Sequence, residues 1–179
     1  MEKIYLAGFD VFYKDAKERF DRMRTLCELA GYEALIPLDN DIPDCIGISN
    51  RIYKANIDMI EKADGIIANL NAFRGTEPDS GTVFEVGYGV AKNKKIIGYT
   101  SIKDWKTHII DGQKHQVLNR GLFDSMFNQQ LPVNEFNVED FGLCLNLMLA
   151  ESINIINGDF IDALKYYKYL VNHTESTNS

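Results

Sequence analysis

The segment Asp79-Ser80-Gly81-Thr82-Val83-Phe84-Glu85-Val86-Gly87 puts an acidic side chain into an otherwise small and apolar stretch of helical period. Asp-Ser-Gly ahead of an apolar period marks a helix N-terminus, where Asp79 can cap free N–H groups. Glu85 then falls in the second turn, between Phe84 and Val86. A carboxylate there either faces solvent or is buried for a purpose. If buried, it can bond to or stabilise an electron-poor carbon, and a second carboxyl group nearby can supply a proton. Asp58, in Asn56-Ile57-Asp58-Met59-Ile60, raises the same question. On spacing alone the plainer readings stand beside these: a surface glutamate, an ordinary cap and a solvated helix residue. Asp64 reads as a turn residue. Cys27, Cys45 and Cys144 are scattered and form no CxxC or Cys/His cluster, so neither a disulfide framework nor a zinc site is suggested. His108, His115 and His173 fall in stretches that read as loop or tail, as surface histidines rather than metal ligands.

The elements that must position these residues alternate short apolar runs with amphipathic stretches, the pattern of a parallel sheet with crossover helices. Strands are expected at 4–8, 32–37, 65–70, 95–100 and 153–156. Residues 65–70 are apolar enough to be buried on both faces. Helices are expected at 14–30, with Phe20, Met23, Leu26 and Leu29 inward and Gly31 as the stop, and at 48–63, with Ile52, Ile57 and Ile60 inward. Further helices are expected at 81–93, with Val83, Val86 and Val90 inward, at 143–152, and at 160–171. Residues 38–44 form a loop rich in Asp, Asn and Pro. Residues 101–142 read as an irregular excursion with one or two short helices, and 173–179 as a polar tail. The expectation is a single doubly wound α/β domain over residues 1–172, with a roughly five-stranded, mostly parallel sheet flanked by helices. Ligands bind such folds beyond the carboxyl ends of the strands.

Composition narrows the function. With 179 residues the chain can bury a sizeable core, and 45% hydrophobic with 25% charged residues is ordinary for a globular protein. A net charge of −7 without a run of Lys or Arg argues against nucleic acid as partner. No apolar stretch reaches the roughly 18 to 20 residues of a membrane span, and the first residues lack a signal-peptide layout, so a cytoplasmic protein is expected. Ala7-Gly8-Phe9-Asp10 after the first strand offers no GxGxxG for a dinucleotide.

Ile4-Tyr5-Leu6-Ala7-Gly8, Ile36-Pro37-Leu38-Asp39-Asn40, Asn56-Ile57-Asp58-Met59-Ile60, the run from Phe73 to Gly87, and Leu145-Asn146-Leu147-Met148-Leu149 occur in order along the chain. Together they resemble the nucleoside 2-deoxyribosyltransferase family, most specifically through Asp-x-Gly-x-x-x-Glu-x-Gly at 79–87. The resemblance implies that Glu85 is the nucleophile and that Asp58 contacts the base and relays a proton to it. It implies that Asp79 holds the sugar 5′-hydroxyl, that Tyr5 lies beside Glu85 and the sugar, and that Gly8 belongs to the substrate site. Asp41 matches a variable base-contacting position. Asn146 and Met148 match a pair that relatives insert into the neighbouring subunit's pocket, so a homo-oligomer, at least a dimer, is implied. The sequence departs from the family at Phe9, at Cys144 and in a longer segment at 105–134.

The chemistry implied is exchange of 2-deoxyribose between deoxynucleosides and free nucleobases. Rupture of the C–N glycosidic bond passes through an oxocarbenium-like sugar, which an adjacent carboxylate stabilises or captures, with retention at C1′ overall. No metal or organic cofactor is required. One alternative is a hydrolase acting on deoxynucleoside 5′-monophosphates; a carboxylate at 79 would repel that phosphate and suits a free hydroxyl. The other is a non-catalytic module sensing a nucleotide-like ligand, which would not need Glu85, Asp58 and Asp79 together.

Overall fold

A computed structural model describes residues 1–39, 46–74, 77–101 and 141–174. Its strands β1 (Lys3–Ala7), β2 (Glu33–Leu35), β3 (Gly65–Asn69), β4 (Lys95–Thr100) and β5 (Asn154–Asn157) form one sheet in the order β2-β1-β3-β4-β5. Every pairing is parallel. The helices are α1 (Ala16–Ala30), α2 (Ile48–Lys62), α3 (Ser80–Ala91), the single turn α4 (Leu147–Ala150) and α5 (Phe160–Thr174), with 3-10 turns at Phe9–Phe12 and Pro37–Asp39. All five residues of β3 are buried, whereas the edge strand β5 is only partly covered. This is the doubly wound α/β arrangement, and its strand order reverses between β1 and β3.

Alternation along the strands divides the core. Ile4, Leu6, Ile67, Ile97 and Tyr99 pack with α1 and α5 on one face. Tyr5, Ala7, Ile66, Ala68 and Ile96 pack with α2, α3 and Leu145 on the other. The period-2 geometry of β1 therefore commits Tyr5 to the face that carries α3.

Several boundaries differ from the sequence expectation for local reasons. β2 stops at Leu35, because Pro37 opens a 3-10 turn closed by Asp39 N–H donating to the Ile36 carbonyl at 2.9 Å. Helix is confined to Leu147–Ala150 within 143–152: Asn146 Oδ1 accepts from Met148 N–H at 3.0 Å and sets the start. The last strand begins one residue later than expected. α5 continues to Thr174 and takes in His173, whose Nδ1 lies 2.7 Å from the Tyr169 carbonyl oxygen. Gly31, at φ 96°, closes α1 as its spacing predicts.

Inward faces also shift. Cys27 is buried in α1, and Leu29 is exposed. In α3 the buried stripe is Thr82, Val86 and Gly89, while Val90 is exposed. Gly89 replaces it because a Cβ there would lie 2.4 Å from Ile66 Cδ1 and 3.0 Å from Ile96 Cδ1. Lacking one, α3 approaches β3 and β4 closely, and that approach sets the depth of Glu85 one turn earlier. Cys27 and Cys144 are buried free thiols. Asp41, Cys45, His108, His115 and the excursion at 102–140 lie outside the described residues. Among the described residues no helix is long and apolar enough to cross a membrane.

Candidate active site

Asp79 caps α3. Its Oδ2 accepts from Thr82 N–H at 3.0 Å and lies 3.2 Å from Thr82 Oγ1, and its carbonyl accepts from Val83 N–H at 3.0 Å. Counting from that cap, Glu85 borders the buried Thr82–Val86–Gly89 stripe and so points toward the sheet without entering the apolar core. Tyr5 meets it from β1. The Tyr5 hydroxyl, on a fully buried side chain, donates to Glu85 Oε1 at 2.7 Å across 80 positions of sequence.

Glu85, with Tyr5 behind it, lines a cavity of about 470 Å³, a size that suits a small organic ligand. It opens beyond the carboxyl ends of β1 and β3, where the strand order reverses, as expected for doubly wound folds. Gly8, Asp79, Thr82 and Glu85 line it, with Val11, Phe12, Leu38 and Ile52 as an apolar wall. Gly8 is required by packing: a Cβ there would sit 2.9 Å from Asn69 Cβ.

Burial raises the Glu85 carboxyl from its ordinary 4.5 to about 7; the hydrogen bond from Tyr5 pulls it down, the Asp79 charge pushes it up, and the Asn56 side chain pulls it down. Glu85 is therefore poised between its two protonation states near neutrality. Burial, and then the Glu85 charge, push the Tyr5 hydroxyl far above its ordinary range, so it stays a donor.

Asn56, two positions before Asp58, is a functional candidate that motif resemblance does not mark. It lines the cavity, and its Oδ1 is buried without a hydrogen-bond partner among the described residues. Its signal was present: Ile52, Asn56, Met59 and Ile60 fall at helical spacing, which makes Asn56 a polar residue on an apolar stripe. Asp58 is two positions, or about 200°, further round the helix. The structure accordingly does not bring Asp58 to the cavity; its side chain is 60% exposed and paired with Lys62 one turn on. Asn146 and Met148 do not line this cavity within the chain either. They sit on the α4 turn, and Met148 is 74% exposed.

Fold and cavity together define a doubly wound α/β protein that holds a partly buried carboxylate at its switch-point cavity. The chain belongs to the nucleoside 2-deoxyribosyltransferase family, whose model matches residues 4–148. It is similar to the 2-deoxyribosyltransferase from Leishmania mexicana, with a TM-score of 0.69 and 30% identity over 94% of this chain and 98% of that one. A conserved protein from Enterococcus faecalis shares the fold, with a TM-score of 0.57 and 20% identity over 93% of this chain and 98% of that one. A curated relative, an uncharacterized protein of Schizosaccharomyces pombe, is 32% identical over 104 residues, or 55% of this chain. The match spans about half (49%) of that relative's length.

Proposed function

We propose that the chain transfers 2-deoxyribose between nucleobases through a covalent deoxyribosyl–Glu85 intermediate. The observation that carries this reading is Glu85 itself: a carboxylate on the cavity wall, fixed by Tyr5 at 2.7 Å and held near neutrality by burial. In the first step a Glu85 oxygen bonds to C1′ as the C1′–N bond breaks, and the base leaves with the electron pair and takes up a proton. In the second, a nitrogen of the incoming base bonds to C1′, the C1′–O bond breaks, and that base gives up its proton. Two inversions give retention. The hydroxyl of Tyr5 fixes the attacking carboxylate in place, which reduces the reorganisation needed for attack.

Asn56 takes the base-contacting role expected of Asp58. An amide hydrogen-bonds the departing base but does not ionise, so the proton comes from solvent. Asp79 commits Oδ2 to the helix cap, and the described residues give its Oδ1 no hydrogen bond, which suits a 5′-hydroxyl donor. None of the described lining residues is Lys or Arg. With Asp79 and Glu85 both acidic, the cavity favours a nucleoside over a 5′-monophosphate. The exposed Met148, on a turn capped by Asn146, suits donation of that turn to the cavity of a second copy.

The test is incubation with deoxyadenosine and hypoxanthine, with a no-acceptor control, followed by chromatography. Deoxyinosine formed by the wild type and absent with Glu85→Ala is expected. Free deoxyribose without exchange across several acceptor bases would replace transfer by hydrolysis.

A further inference from the structure

A second cavity, of about 680 Å³, opens on the opposite face of the sheet from Glu85, toward α1 and α5. The 3-10 turn Phe9–Phe12 divides the two: Val11 and Phe12 line the first, Phe9 and Asp10 the second. The polar side of this second cavity is a built structure. Asp10 and Asn69 are 5% and 6% exposed, and Asn69 Nδ2 donates to Asp10 Oδ2 at 2.7 Å. Asn69 Oδ1 accepts from Asn71 Nδ2 at 2.7 Å, and Asn71 Oδ1 accepts from Ser101 N–H at 2.8 Å. This chain ties the ends of β1, β3 and β4 together. It leaves Asp10 Oδ1 with no hydrogen bond from the described residues, its nearest cation being Arg19 at 4.0 Å. The residue is buried but this oxygen is not sealed off, so it is an acceptor open to a donor from the cavity.

The rest of the lining indicates what the donor belongs to. Phe9 and Phe73 stack at 4.7 Å, and the Arg74 guanidinium lies over Phe73 at 4.7 Å, so the wall is built of flat, polarisable surfaces. Arg19 and Arg74 are balanced by Asp10 and Asp159 among the described lining residues, which gives no net charge to attract a phosphate or a polyamine. We propose that this cavity binds an uncharged planar heterocycle bearing N–H donors, of nucleobase or nucleoside size, with one N–H donating to Asp10 Oδ1. The site is separate from the Glu85 cavity and does not depend on the transfer reading. An occupant would press on the turn that walls the first cavity.

Two asparagine side chains report on the two cavities separately: Asn69 on the second, Asn56 on the first. Hypoxanthine titrated into the isotopically labelled full chain is expected to shift the Asn69 side-chain amide resonance saturably. Asp10→Asn removes a charged acceptor and is expected to weaken that response on the order of ten- to a hundred-fold. Ala72→Trp, which adds bulk to a lining loop outside the polar chain, is expected to abolish it while the Asn56 side-chain resonance behaves as in the wild type. No saturable shift at Asn69 in the wild type, or one untouched by Ala72→Trp, overturns the proposal, whatever the chain does with deoxyadenosine.

Discussion

Replacing Glu85 by glutamine keeps the shape of the side chain and removes only its ability to ionise. The Tyr5 hydroxyl still has a carbonyl oxygen to donate to, and no cavity opens. In the wild type the folded state raises this carboxyl from 4.5 to about 7, chiefly by burial. At about 1.4 kcal/mol per pH unit, folding therefore penalises the ionised form by about 3 kcal/mol. The sign follows from proton counting: between pH 4.5 and 7 the unfolded chain has released this proton and the folded chain has kept it. Wild-type stability thus falls as pH rises through that window, and the loss is complete above pH 7. Glu85→Gln is expected to match the wild type near pH 4 and to exceed it by about 3 kcal/mol at pH 8. For a chain of this size that is a melting temperature higher by roughly 6 to 12 °C. Urea or thermal denaturation of both proteins from pH 4 to pH 9 measures the difference. A difference that is flat across the range, or a glutamine variant less stable than wild type at pH 8, would refute the argument that desolvation dominates at Glu85. The same variant is expected to lose base exchange, since an amide oxygen does not form the sugar ester, so stability and activity part in opposite directions.

Tyr5→Phe removes a hydrogen bond that favours the ionised carboxylate. The acidic limb of the pH–rate profile for exchange is therefore expected to move upward from its midpoint near pH 7, with a lower plateau rate. Asp79→Asn keeps the α3 cap while deleting a charge that pushes the Glu85 carboxyl up. Its acidic limb is expected to move downward with stability near pH 4 nearly unchanged, whereas Asp79→Ala is expected to cost about 1 kcal/mol in denaturation there as well. Asn56→Ala is expected to reduce kcat/KM for exchange at least tenfold, against less than twofold for Asp58→Ala, which removes only an exposed ion pair. Equal, large losses in both would return the base-contacting role to Asp58. Mixing a Glu85→Ala chain with an Asn146→Ala chain is expected to restore part of the activity through hybrid sites; no recovery despite proven subunit exchange would exclude a site shared between subunits.

Features that depend on neighbours within about four residues were legible in the sequence. The Asp79 cap, the Gly31 stop, the buried run of β3 and the alternation along β1 that commits Tyr5 to one face are all of this kind, because caps, helical period and pleat are local properties. They were enough to specify a parallel α/β sheet and to put a carboxylate at residue 85 in a helix that packs on it. Motif resemblance carried further, to the family, but assigned the α2 role to Asp58. The helical stripe through Ile52, Asn56 and Ile60 argues for Asn56 instead, and only the packing of α2 beside β1 turned that stripe toward a cavity. In the same way, Gly89 rather than Val90 faces the sheet because Ile66 and Ile96 leave no room for a Cβ there. The Tyr5–Glu85 bond and the Asp10–Asn69 bond join residues 80 and 59 positions apart. No period reports such contacts. They exist because β1, β3 and α3 are brought side by side, so the ionisation of Glu85 and the presence of a second cavity were decided by the tertiary structure alone.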